Sequence, residues 1–471
     1  MVYNLKSTRR RVGIEKVKNK YHFIAIGGIG MSGLAKYLLE NGCEVSGSDI
    51  NDSKYLTKLK DLGAKIYIGH DENNLPEDCI VVASTAIKDT NPEIQKAKRL
   101  GLEILHRSDV LAKISNSEKF FLGFAGTHGK TTTSGLASYV LEKANLLPSY
   151  VVGGILPEIG TNAHCQDGKY FCAELDESDG TIVKYTPNVT VINNLEADHL
   201  DFYKNGLDDI LKTFETFIGN LSSDAVILVN ADDDGVNKLI RRENMISYGL
   251  NLADYQAKNI NYGSEFTTFE IYFKGKFLLT LKICLKGVHN VYNALAVFAS
   301  LHQAGVEIEK VVPHFATFTG MGRRFQKIGE FNGITIYDDY AHHPTEIKAT
   351  MSASKSFKDK NIIAVFQPHR YTRLGSLWNE FLTAFDGANR VIVTDVYAAS
   401  EDPIDGVNSS NFVEELRSKY LAEHISGDIK TVAKKLLPSL KPNDIVIGLG
   451  AGTITNLGKE LLELEASKIG N

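Results

Sequence analysis

Residues 121–133 constrain the fold of this chain more than any other stretch of the sequence. They form an apolar run, a short glycine loop, a lysine and three threonines, and a helix-like pattern follows over 132–144. This order is typical of a phosphate-binding loop between a strand and a helix. The backbone N–H groups of residues 126–129 and the positive end of the helix would then surround phosphate oxygens. Lys130 would reach the terminal phosphates, and the Thr131 hydroxyl would hold Mg²⁺.

The loop departs from the general nucleotide pattern at its first position. In G-x-x-x-x-G-K-[ST] a glycine opens the loop, whereas Phe124 stands there in this chain. Two interpretations stay open, a phosphate loop of another type that binds ATP and a glycine-rich turn that ends in a surface lysine. The apolar spacing of Leu136, Val140 and Leu141 after the loop favours the phosphate loop, because it predicts the helix that such a loop needs.

Length and composition indicate an ordinary globular protein of several domains. A chain of 471 residues is long enough for about three domains. Hydrophobic residues make up 43% and charged residues 23% of the chain, which is the balance of a folded protein rather than of a disordered one. The net charge of −5 argues against a nucleic-acid-binding protein, because such proteins usually carry a basic face.

The first residues and the cysteines bear on the cell compartment. Residues 1–20 are rich in lysine and arginine but lack the apolar segment of a signal peptide, so we expect a solvated basic arm. No apolar run in the sequence approaches the ~18 residues that span a membrane. The five cysteines are scattered without a C-x-x-C motif, which is typical of a protein in the reducing cytoplasm.

Strand-like and helix-like segments alternate through most of the chain, which predicts parallel α/β sheets. This alternation weakens over 114–118, where we expect a polar hinge, and again over the glycine-rich stretch 318–326. We therefore expect a basic arm at 1–20 and three domains on Rossmann-like or P-loop-like sheets at 21–116, 117–325 and 326–471. Expected strands lie at 21–26, 44–49, 79–83, 103–105, 170–174, 189–193, 335–338, 362–366, 390–393 and 444–448, with a β-rich portion at 266–283 and helices at 34–40 and 290–304.

A second glycine loop lies in the first expected domain. Gly28, Gly30 and Gly33 match G-x-G-x-x-G between a predicted strand and a predicted helix, and Asp49 ends the next strand. This pattern brings a pyrophosphate to a helix N-terminus and an acidic residue to a ribose hydroxyl, so it suits any nucleoside diphosphate. NAD, a UDP-sugar and a purely structural turn all stay open on these residues alone.

Acidic and histidine residues follow two strands of the second expected domain. Glu174 lies at the end of one strand, where a carboxylate could take Mg²⁺ that is shared with phosphate oxygens. His199 follows the next strand. The alternatives are a solvated acidic loop and a structural histidine. Because the carboxyl-end loops of an open α/β sheet form its ligand crevice, we expect both side chains near the Lys130 loop.

Polar loops also follow two strands of the third expected domain. His342 and His343 are adjacent and point in different directions, so they suit a polar active-site loop better than a zinc site. Arg370 and Arg373 could clamp a carboxylate or a phosphate, or they could be exposed surface residues. The run 448–453 is either another nucleotide loop or a tight strand-to-helix turn.

Taken together, these segments resemble the Mur ligases, the ATP-dependent enzymes that add amino acids to peptidoglycan precursors. The resemblance is strongest to the branch that adds L-alanine to UDP-N-acetylmuramate. The motifs follow the family order: GGIGMSG (27–33), GTHGKTTT (126–133), ELDESD (174–179), EADH (196–199), GVHNVYN (287–293), RRF (323–325), DDYAHHP (338–344) and QPHRY (367–371). The family's loop has the form A-G-T-x-G-K-T, so Phe124 fits it. The family's architecture implies a UDP-substrate domain, an ATP domain, and a C-terminal domain that closes over the site and binds the amino acid.

The resemblance also implies a role for each matching residue. UDP-substrate contacts would be Gly28, Gly30, Met31, Ser32, Gly33, Asp49, His70 and Ser84. ATP contacts would be Gly126, Thr127, His128, Gly129, Lys130, Thr131, Thr132, Asn290, Asn293, Arg324 and Asp338. Mg²⁺ ligands would be Thr131, Glu174 and His199. Catalytic residues would be Lys130, His199, His342, Arg370 and Arg373, and His369 would also face the amino acid.

The implied reaction is peptide-bond formation in cytoplasmic peptidoglycan synthesis, which serves the cell wall, cell shape and cell division. The substrate carboxylate would attack the γ-phosphate of ATP, and alanine would then attack the acyl phosphate. His199 and His342 both stay open as the base for the amine. Several sister ligases use a carbamylated lysine, but we expect none here and leave the role of Lys204 open. We expect small-molecule substrates, no nucleic-acid or membrane partner, and a monomer or weak homodimer.

Three alternative functions differ from this expectation in ways that experiments can separate. A murein tripeptide ligase of the same family would share the phosphate loop and differ mainly in its acceptor. An NAD-dependent oxidoreductase would use Gly28–Gly33 for its cofactor but would leave the Lys130 loop unexplained. A non-enzymatic ATP switch would hydrolyse ATP slowly and without any amino acid.

Overall fold

The computed structural model describes residues 19–469 except positions 86, 201, 264, 356, 358 and 400. The basic arm expected at 1–20 lies outside the described residues, apart from its last two. The described chain divides into two compact units. The first comprises the described residues up to Leu285 together with Asn290–Thr319, and the second comprises Lys286–His289 and the described residues from Gly320 onward. None of the described helices combines the length and the apolar character that crossing a bilayer requires.

The first sheet is entirely parallel, with the strand order β3-β2-β1-β4-β5. Its elements are β1 (Lys20–Ile24), α1 (Ile29–Glu40), β2 (Glu44–Asp49), α2 (Lys54–Asp61), β3 (Lys65–Ile68), β4 (Ile80–Ala83), α3 (Pro92–Leu100), β5 (Ile104–His106) and α4 (Arg107–Ser117). Phe23 in β1 pairs with Gly47 on one side and with Val82 on the other. The strands β2 and β3 therefore lie on one side of β1, and β4 and β5 lie on the other. The first glycine loop begins at the end of β1, at this switch point in the strand order.

The polar hinge expected at 114–118 is wrong. Residues up to Ser117 belong to α4, whose Val110, Leu111 and Ile114 are buried in the core. Their spacing is that of a helix face, and the polar run Ser115, Asn116 and Ser117 that follows them hides the end of the helix in the sequence. The same core continues into the second sheet, where the ring of Tyr37 meets Phe171 edge-on at 5.9 Å.

The second sheet has ten strands in the order β15-β14-β13-β12-β11-β10-β6-β9-β7-β8. Its elements are β6 (Phe120–Ala125), α5 (Lys130–Lys143), β7 (Ser149–Leu156), β8 (Thr161–His164), β9 (Tyr170–Glu174), β10 (Val189–Ile192), α6 (Leu207–Asn220), β11 (Val226–Asn230), β12 (Met245–Gly249), β13 (Tyr255–Tyr262), β14 (Thr267–Phe273) and β15 (Lys276–Ile283), followed by α7 (Val288–Gln303) and α8 (Ile308–Phe315). All six residues of β6 are buried, as an apolar central strand requires. Because β9 and β10 flank β6 in parallel, the loops after these three strands leave the same edge of the sheet.

The third sheet has six strands in the order β16-β17-β21-β18-β19-β20, and only β16 runs antiparallel to its neighbour. Its elements are β16 (Gln326–Phe331), β17 (Ile334–Asp339), α9 (Pro344–Ser354), β18 (Asn361–Phe366), α10 (Tyr371–Ser376), α11 (Trp378–Phe381), β19 (Arg390–Thr394), α12 (Ser409–Leu416), β20 (Ala422–Ile425), α13 (Ile429–Leu436), β21 (Asp444–Leu449) and α14 (Leu457–Ile469). Two apolar clusters cover its two faces. The predicted fold class, three domains on mainly parallel α/β sheets, is confirmed. The domain limits at 116/117 and 325/326 stay predictions.

Candidate active site

The phosphate loop joins β6 to α5 and needs glycine at two positions. Gly126 has φ +118° and Gly129 has φ +84°, both in the left-handed region that favours glycine. A Cβ on Gly126 would also lie 2.9 Å from the carbonyl oxygen of Asn194. The pattern of small residues before Lys130 therefore reflects backbone conformation as well as space.

Two asparagines hold the loop, and sequence reasoning assigned neither of them a role. The N–H of Thr127 donates to the Asn194 carbonyl oxygen at 3.0 Å, and the N–H of His128 donates to Asn194 Oδ1 at 2.7 Å. Asn193 Nδ2 donates to the His128 carbonyl oxygen at 3.2 Å. The loop N–H groups expected to meet phosphate at 127 and 128 are thus used internally. The N–H groups of the first turn of α5 lack intrahelical partners and are the better phosphate donors.

Lys130 begins α5, and its ammonium group lies over the loop. Nζ donates to the carbonyl oxygens of Gly126 at 2.6 Å and Thr127 at 2.9 Å, and to Glu177 Oε1 at 2.9 Å. Burial opposes the charge, but Glu177 and the nearby carboxylates of Asp176 and Glu174 together raise the pKa of Lys130. The lysine therefore adds a fixed positive charge at the N-terminus of α5.

Glu174 and Thr131 form an oxygen pair beside this lysine. Thr131 Oγ1 donates to Glu174 Oε2 at 2.9 Å, and the N–H of Gly153 donates to the same oxygen at 3.0 Å. A Cβ on Gly153 would lie only 2.2 Å from that oxygen, so the carboxylate sits in a space that a glycine provides. A hydroxyl and a carboxylate next to a phosphate loop are the donors that Mg²⁺ takes. These two residues therefore fit the metal that the sequence predicts.

His199 lies in the loop after β10, at the same edge of the sheet. It has φ +52°, a conformation that non-glycine residues seldom adopt. Its Nε2 lies 3.7 Å from Asp198 Oδ2, and its own N–H donates to Asp198 Oδ1 at 2.7 Å. Its predicted place as a third metal ligand stays a prediction.

Asn293 borders the phosphate loop from α7. Its Nδ2 donates to Asn290 Oδ1 at 3.1 Å, and a Cβ on Gly129 would lie 2.8 Å from its Oδ1. The structure therefore brings the two asparagines predicted for ATP together and places Asn293 beside the loop. Thr132 lies within the first turn of α5, where a bound phosphate would meet the helix.

The first glycine loop is held by its own acidic residue. The N–H of Gly27 donates to Asp49 Oδ2 at 2.8 Å, and the N–H of Asn51 donates to Asp49 Oδ1 at 3.2 Å. Gly28 is the extended residue before α1, with φ −62° and ψ 144°. The helix begins at Ile29 rather than at the expected 34, so Gly30 lies in its first turn.

Some of the other residues predicted to contact the UDP-substrate are buried in α1, and the rest are polar residues that follow strands. Met31, Ser32 and Gly33 are buried in α1, and a Cβ on Gly33 would lie 2.6 Å from Asn162 Nδ2. Ser84 directly follows β4, and His70 Nδ1 lies 2.8 Å from Ser48 Oγ. The packing of Gly33 explains its residue type without a ligand, and the contacts expected for all these residues stay predictions.

In the second unit, Arg323 and Arg324 lie at the start of the third sheet, and each pairs with a carboxylate. Arg323 Nε donates to Asp338 Oδ2 at 3.3 Å, and Arg324 Nη1 donates to Glu346 Oε1 at 3.2 Å. Burial raises the pKa of Asp338 although Thr455 and Arg323 act against it. Arg324 and Asp338 thus already have protein partners.

The loops after β17 and β18 meet in the same unit. The ring centroids of His342 and His369 are 6.0 Å apart, and Arg373 Nη1 lies 3.4 Å from His369 Nδ1. Burial lowers the pKa of His342 to about 4 and that of His369, which also faces His342, to about 3. Both rings are therefore neutral at physiological pH. Arg370 has φ +69°, and its Nη1 lies 3.9 Å from Glu401 Oε1.

The structure bears on two features of this unit that the sequence left open, the adjacent histidines and the run 448–453. His343 caps α9, because its Nδ1 accepts from the N–H of Thr345 at 3.3 Å, whereas the His342 ring packs toward His369. The adjacent histidines thus serve different contacts. The run 448–453 packs tightly on Gln367, whose Oε1 accepts from the N–H of Ile454 at 3.0 Å. A Cβ on Gly450 would lie 2.8 Å from the Gln367 carbonyl oxygen, which favours the tight turn over a nucleotide loop.

Three family descriptions match the chain in succession. "Mur ligase family, catalytic domain" matches residues 20–119, "Mur ligase middle domain" matches 124–301, and "Mur ligase, glutamate ligase domain" matches 323–452. The chain belongs to the Mur ligase family. The resemblance noted from the sequence is confirmed, and each matched segment contains one of the three sheets apart from end residues.

Curated Mur ligases resemble the chain over almost its whole length. The UDP-N-acetylmuramate–L-alanine ligase of Geobacter sulfurreducens is 40% identical over 453 residues, which cover 94% of this chain and 97% of that protein. The enzyme of the same name from Pelobacter propionicus is 41% identical over 455 residues, covering 94% and 98%. Membership of a ligase family argues against the oxidoreductase and the non-enzymatic switch.

Solved Mur ligase structures share the fold. The UDP-N-acetylmuramate–alanine ligase of Thermotoga maritima matches with a TM-score of 0.82 at 29% identity, over 95% of this chain and 99% of that one. A murein peptide ligase from Psychrobacter arcticus matches with a TM-score of 0.69 at 23% identity, over 94% and 98%. At that lower identity the likeness concerns the fold alone.

Proposed function

We propose that this ligase joins L-alanine to the carboxylate of UDP-N-acetylmuramate and converts ATP to ADP and phosphate. The observation that carries the proposal is the Lys130 loop with its Thr131–Glu174 oxygen pair, in a chain 40% identical to a ligase of that name. We also propose cytoplasmic peptidoglycan synthesis as its setting and a monomer or weak homodimer as its form.

In the first step, an oxygen of the substrate carboxylate bonds to the γ-phosphorus, and the bond from that phosphorus to the bridging oxygen breaks. Lys130 and the first turn of α5 would draw the phosphate charge toward the loop, which offsets the repulsion between two anions. Thr131 and Glu174 would hold Mg²⁺, which supplies further neutralising charge when bound, and His199 is the proposed third ligand. The substrate diphosphate would lie at the first glycine loop.

In the second step, the alanine nitrogen bonds to the acyl carbon, and the carbon–oxygen bond to phosphate breaks. The ammonium group of alanine must lose a proton beforehand and another after bond formation. His342 is a weak base here, because burial lowers its pKa to about 4. We therefore favour a neutral His342 ring that accepts a hydrogen bond, with Arg370 and Arg373 binding the alanine carboxylate.

ADP release tests this function directly. We expect ADP only when UDP-N-acetylmuramate, an amino acid and Mg²⁺ are all present, with L-alanine preferred over glycine and serine. A preference for the tripeptide L-alanyl-γ-D-glutamyl-meso-diaminopimelate as acceptor would instead establish the murein tripeptide ligase. ADP release that needs neither UDP-N-acetylmuramate nor an amino acid would overturn both assignments.

A further inference from the structure

Glu177 is a deeply buried carboxylate that the reaction described above does not use. Its side chain is almost completely enclosed, and Oε1 accepts from Lys130 Nζ at 2.9 Å. The buried Oε2 has no hydrogen-bond partner among the described residues. Tyr203 donates its hydroxyl to the carbonyl oxygen of Glu177, which anchors the backbone at this point. The carboxylate is therefore held in place with one oxygen bound to a single cation.

ATP would compete with Glu177 for that cation. Lys130 donates three hydrogen bonds to protein oxygens, and Glu177 supplies the only charged acceptor among those three. The proposed function needs the same ammonium at the terminal phosphates, so this step of the argument rests on that function. Once the phosphates take Lys130, Glu177 is left buried beside further negative charge, which strongly disfavours its ionised form.

We propose that Glu177 holds Lys130 over the empty loop and takes up a proton from solvent when the phosphates of ATP replace it as the partner of the lysine. No covalent bond changes in this exchange, because the carboxylate becomes a carboxylic acid and the lysine stays an ammonium. Glu177 is thus a positioning residue that acts through Lys130. Binding of ATP becomes coupled to pH at a site that contacts neither the UDP-substrate nor the amino acid in the proposed mechanism.

The charges around Glu177 support this exchange. Lys130 faces it from α5, Asp176 and Glu174 lie in its own strand and loop, and Arg107 from α4 pairs with Asp176. Burial raises the pKa of Glu177 to about 7, with Lys130 acting against the shift and Asp176 adding to it. Glu177 therefore loses its proton near neutral pH while Lys130 is its partner. Asp176 is stabilised as an anion, because Arg107 and Lys130 lower its pKa despite burial.

The coupling has a definite sign. Above pH 7 the empty enzyme carries ionised Glu177, and ATP binding must draw a proton from solvent. From pH 7 to pH 8, linkage then weakens ATP binding by about fivefold, whereas below pH 6 the acid is already protonated and binding takes up almost no proton.

Calorimetric titration of the full-length enzyme with the β,γ-imido analogue of ATP and Mg²⁺ tests the proposal. Titrations in two buffers of different ionisation enthalpy give the number of protons taken up. For the unchanged enzyme, we expect the uptake of nearly one proton per bound analogue at pH 8 and of almost none at pH 6. For Glu177→Gln, this rise in uptake around pH 7 should be absent. Glu177→Asp keeps a carboxylate and should retain uptake. Glu142→Gln, at the far end of α5, is the matched control and should behave like the unchanged enzyme.

Kinetics supplies a second readout that simple loss of structure would not mimic. The KM for ATP should rise about fivefold from pH 7 to pH 8 in the unchanged enzyme and stay flat in Glu177→Gln, with the KM for the UDP-substrate unaffected in both. Unaltered proton uptake in Glu177→Gln would overturn the proposal, as would the absence of uptake at pH 8 in the unchanged enzyme. If that enzyme forms product and binds the analogue without uptake, this inference alone fails. If it does not bind the analogue, the proposed function fails as well.

Discussion

The two glycine loops of the first unit look alike in sequence but use their glycines differently. In the phosphate loop, Gly126 and Gly129 adopt left-handed φ values that other residues seldom accept. In the first loop, Gly28 is extended, and a Cβ on Gly27 or Gly33 would collide with the side chain of Asp49 or Asn162. The phosphate loop thus needs glycine for its backbone conformation as well as for space, whereas in the first loop space alone explains Gly27 and Gly33.

The charged residues of the two loops, Lys130 and Asp49, also differ in their hydrogen-bond partners. Lys130 Nζ donates to two carbonyl oxygens of the phosphate loop and to Glu177, whereas Asp49 accepts from the backbone N–H groups of Gly27 and Asn51. We infer that the phosphate loop offers a ligand both the charge of Lys130 and the N–H groups at a helix N-terminus, whereas the first loop uses its charged residue for its own hydrogen bonds and offers the N–H groups alone.

Replacement of Lys130 should separate the two loops most strongly. We expect Lys130→Ala to lower the rate of ADP release by about 100- to 1000-fold, because it removes the positive charge proposed to bind the terminal phosphates. Binding of UDP-N-acetylmuramate, measured by calorimetry without ATP, should change little. Lys143→Ala, at the last turn of α5, is the control and should retain full activity. Product formation near the normal rate in Lys130→Ala would contradict the phosphate-loop assignment.

The metal site should belong to the phosphate loop alone. We expect Gly153→Ala to reduce activity by about 10- to 100-fold, because the new methyl group displaces the Glu174 carboxylate from Thr131. The Mg²⁺ concentration for half-maximal activity should rise, and chelation of Mg²⁺ should leave binding of the UDP-substrate intact. Gly219→Ala lies in α6 with open space around it and serves as the control. An unchanged Mg²⁺ requirement in Gly153→Ala would exclude Glu174 as a ligand.

The sequence predicted the sheets better than the details of the loops. The strand at 170–174 was predicted with its observed bounds, because a short apolar run before an acidic loop is a local signal. Strands such as β8 (Thr161–His164) and β20 (Ala422–Ile425) were missed, since four residues with mixed polarity carry no clear period. The start of α1 was placed too late, because glycines at 30 and 33 conceal a helix that tertiary packing stabilises.

Residues of the site were predictable when they belonged to a motif and not when they supported one. Lys130, Thr131 and Glu174 stand in recognisable runs, and the structure brings them together. Glu177 lies within the ELDESD run and Asn194 lies two residues before the EADH run, yet their contacts with the loop depend on how distant segments meet. Only the register of β6 against β9 and β10 creates those contacts, and no local pattern encodes that register.

Second-site replacements test whether space or backbone conformation explains each glycine. Gly33→Ala should destabilise the protein by about 1–3 kcal/mol and raise the KM for the UDP-substrate, because its methyl group would overlap Asn162. Adding Asn162→Ala should restore most of the loss relative to Asn162→Ala alone, as thermal melts and kinetics would show. Gly129→Ala should raise the KM for ATP about tenfold, and it should do so equally in an Asn193→Ala/Asn293→Ala background that removes both overlapping side chains, since φ +84° stays strained. Equal rescue at both sites would remove the distinction between the loops.

The smallest expected effect concerns Asp49, whose replacement tests directly whether the charged residue of the first loop binds the protein or the ligand. If its main task is to accept from the N–H of Gly27, an amide oxygen can take its place, and Asp49→Asn should raise the KM for UDP-N-acetylmuramate by only about threefold. Asp49→Ala loses the acceptor and should raise it by about tenfold, with the KM for ATP unchanged in both. Equal losses in the two variants would mean that the charge itself meets the ligand, as the ribose contact predicted from the sequence requires. The first loop would then bind its nucleotide through a charged side chain, as we propose for Lys130 in the phosphate loop.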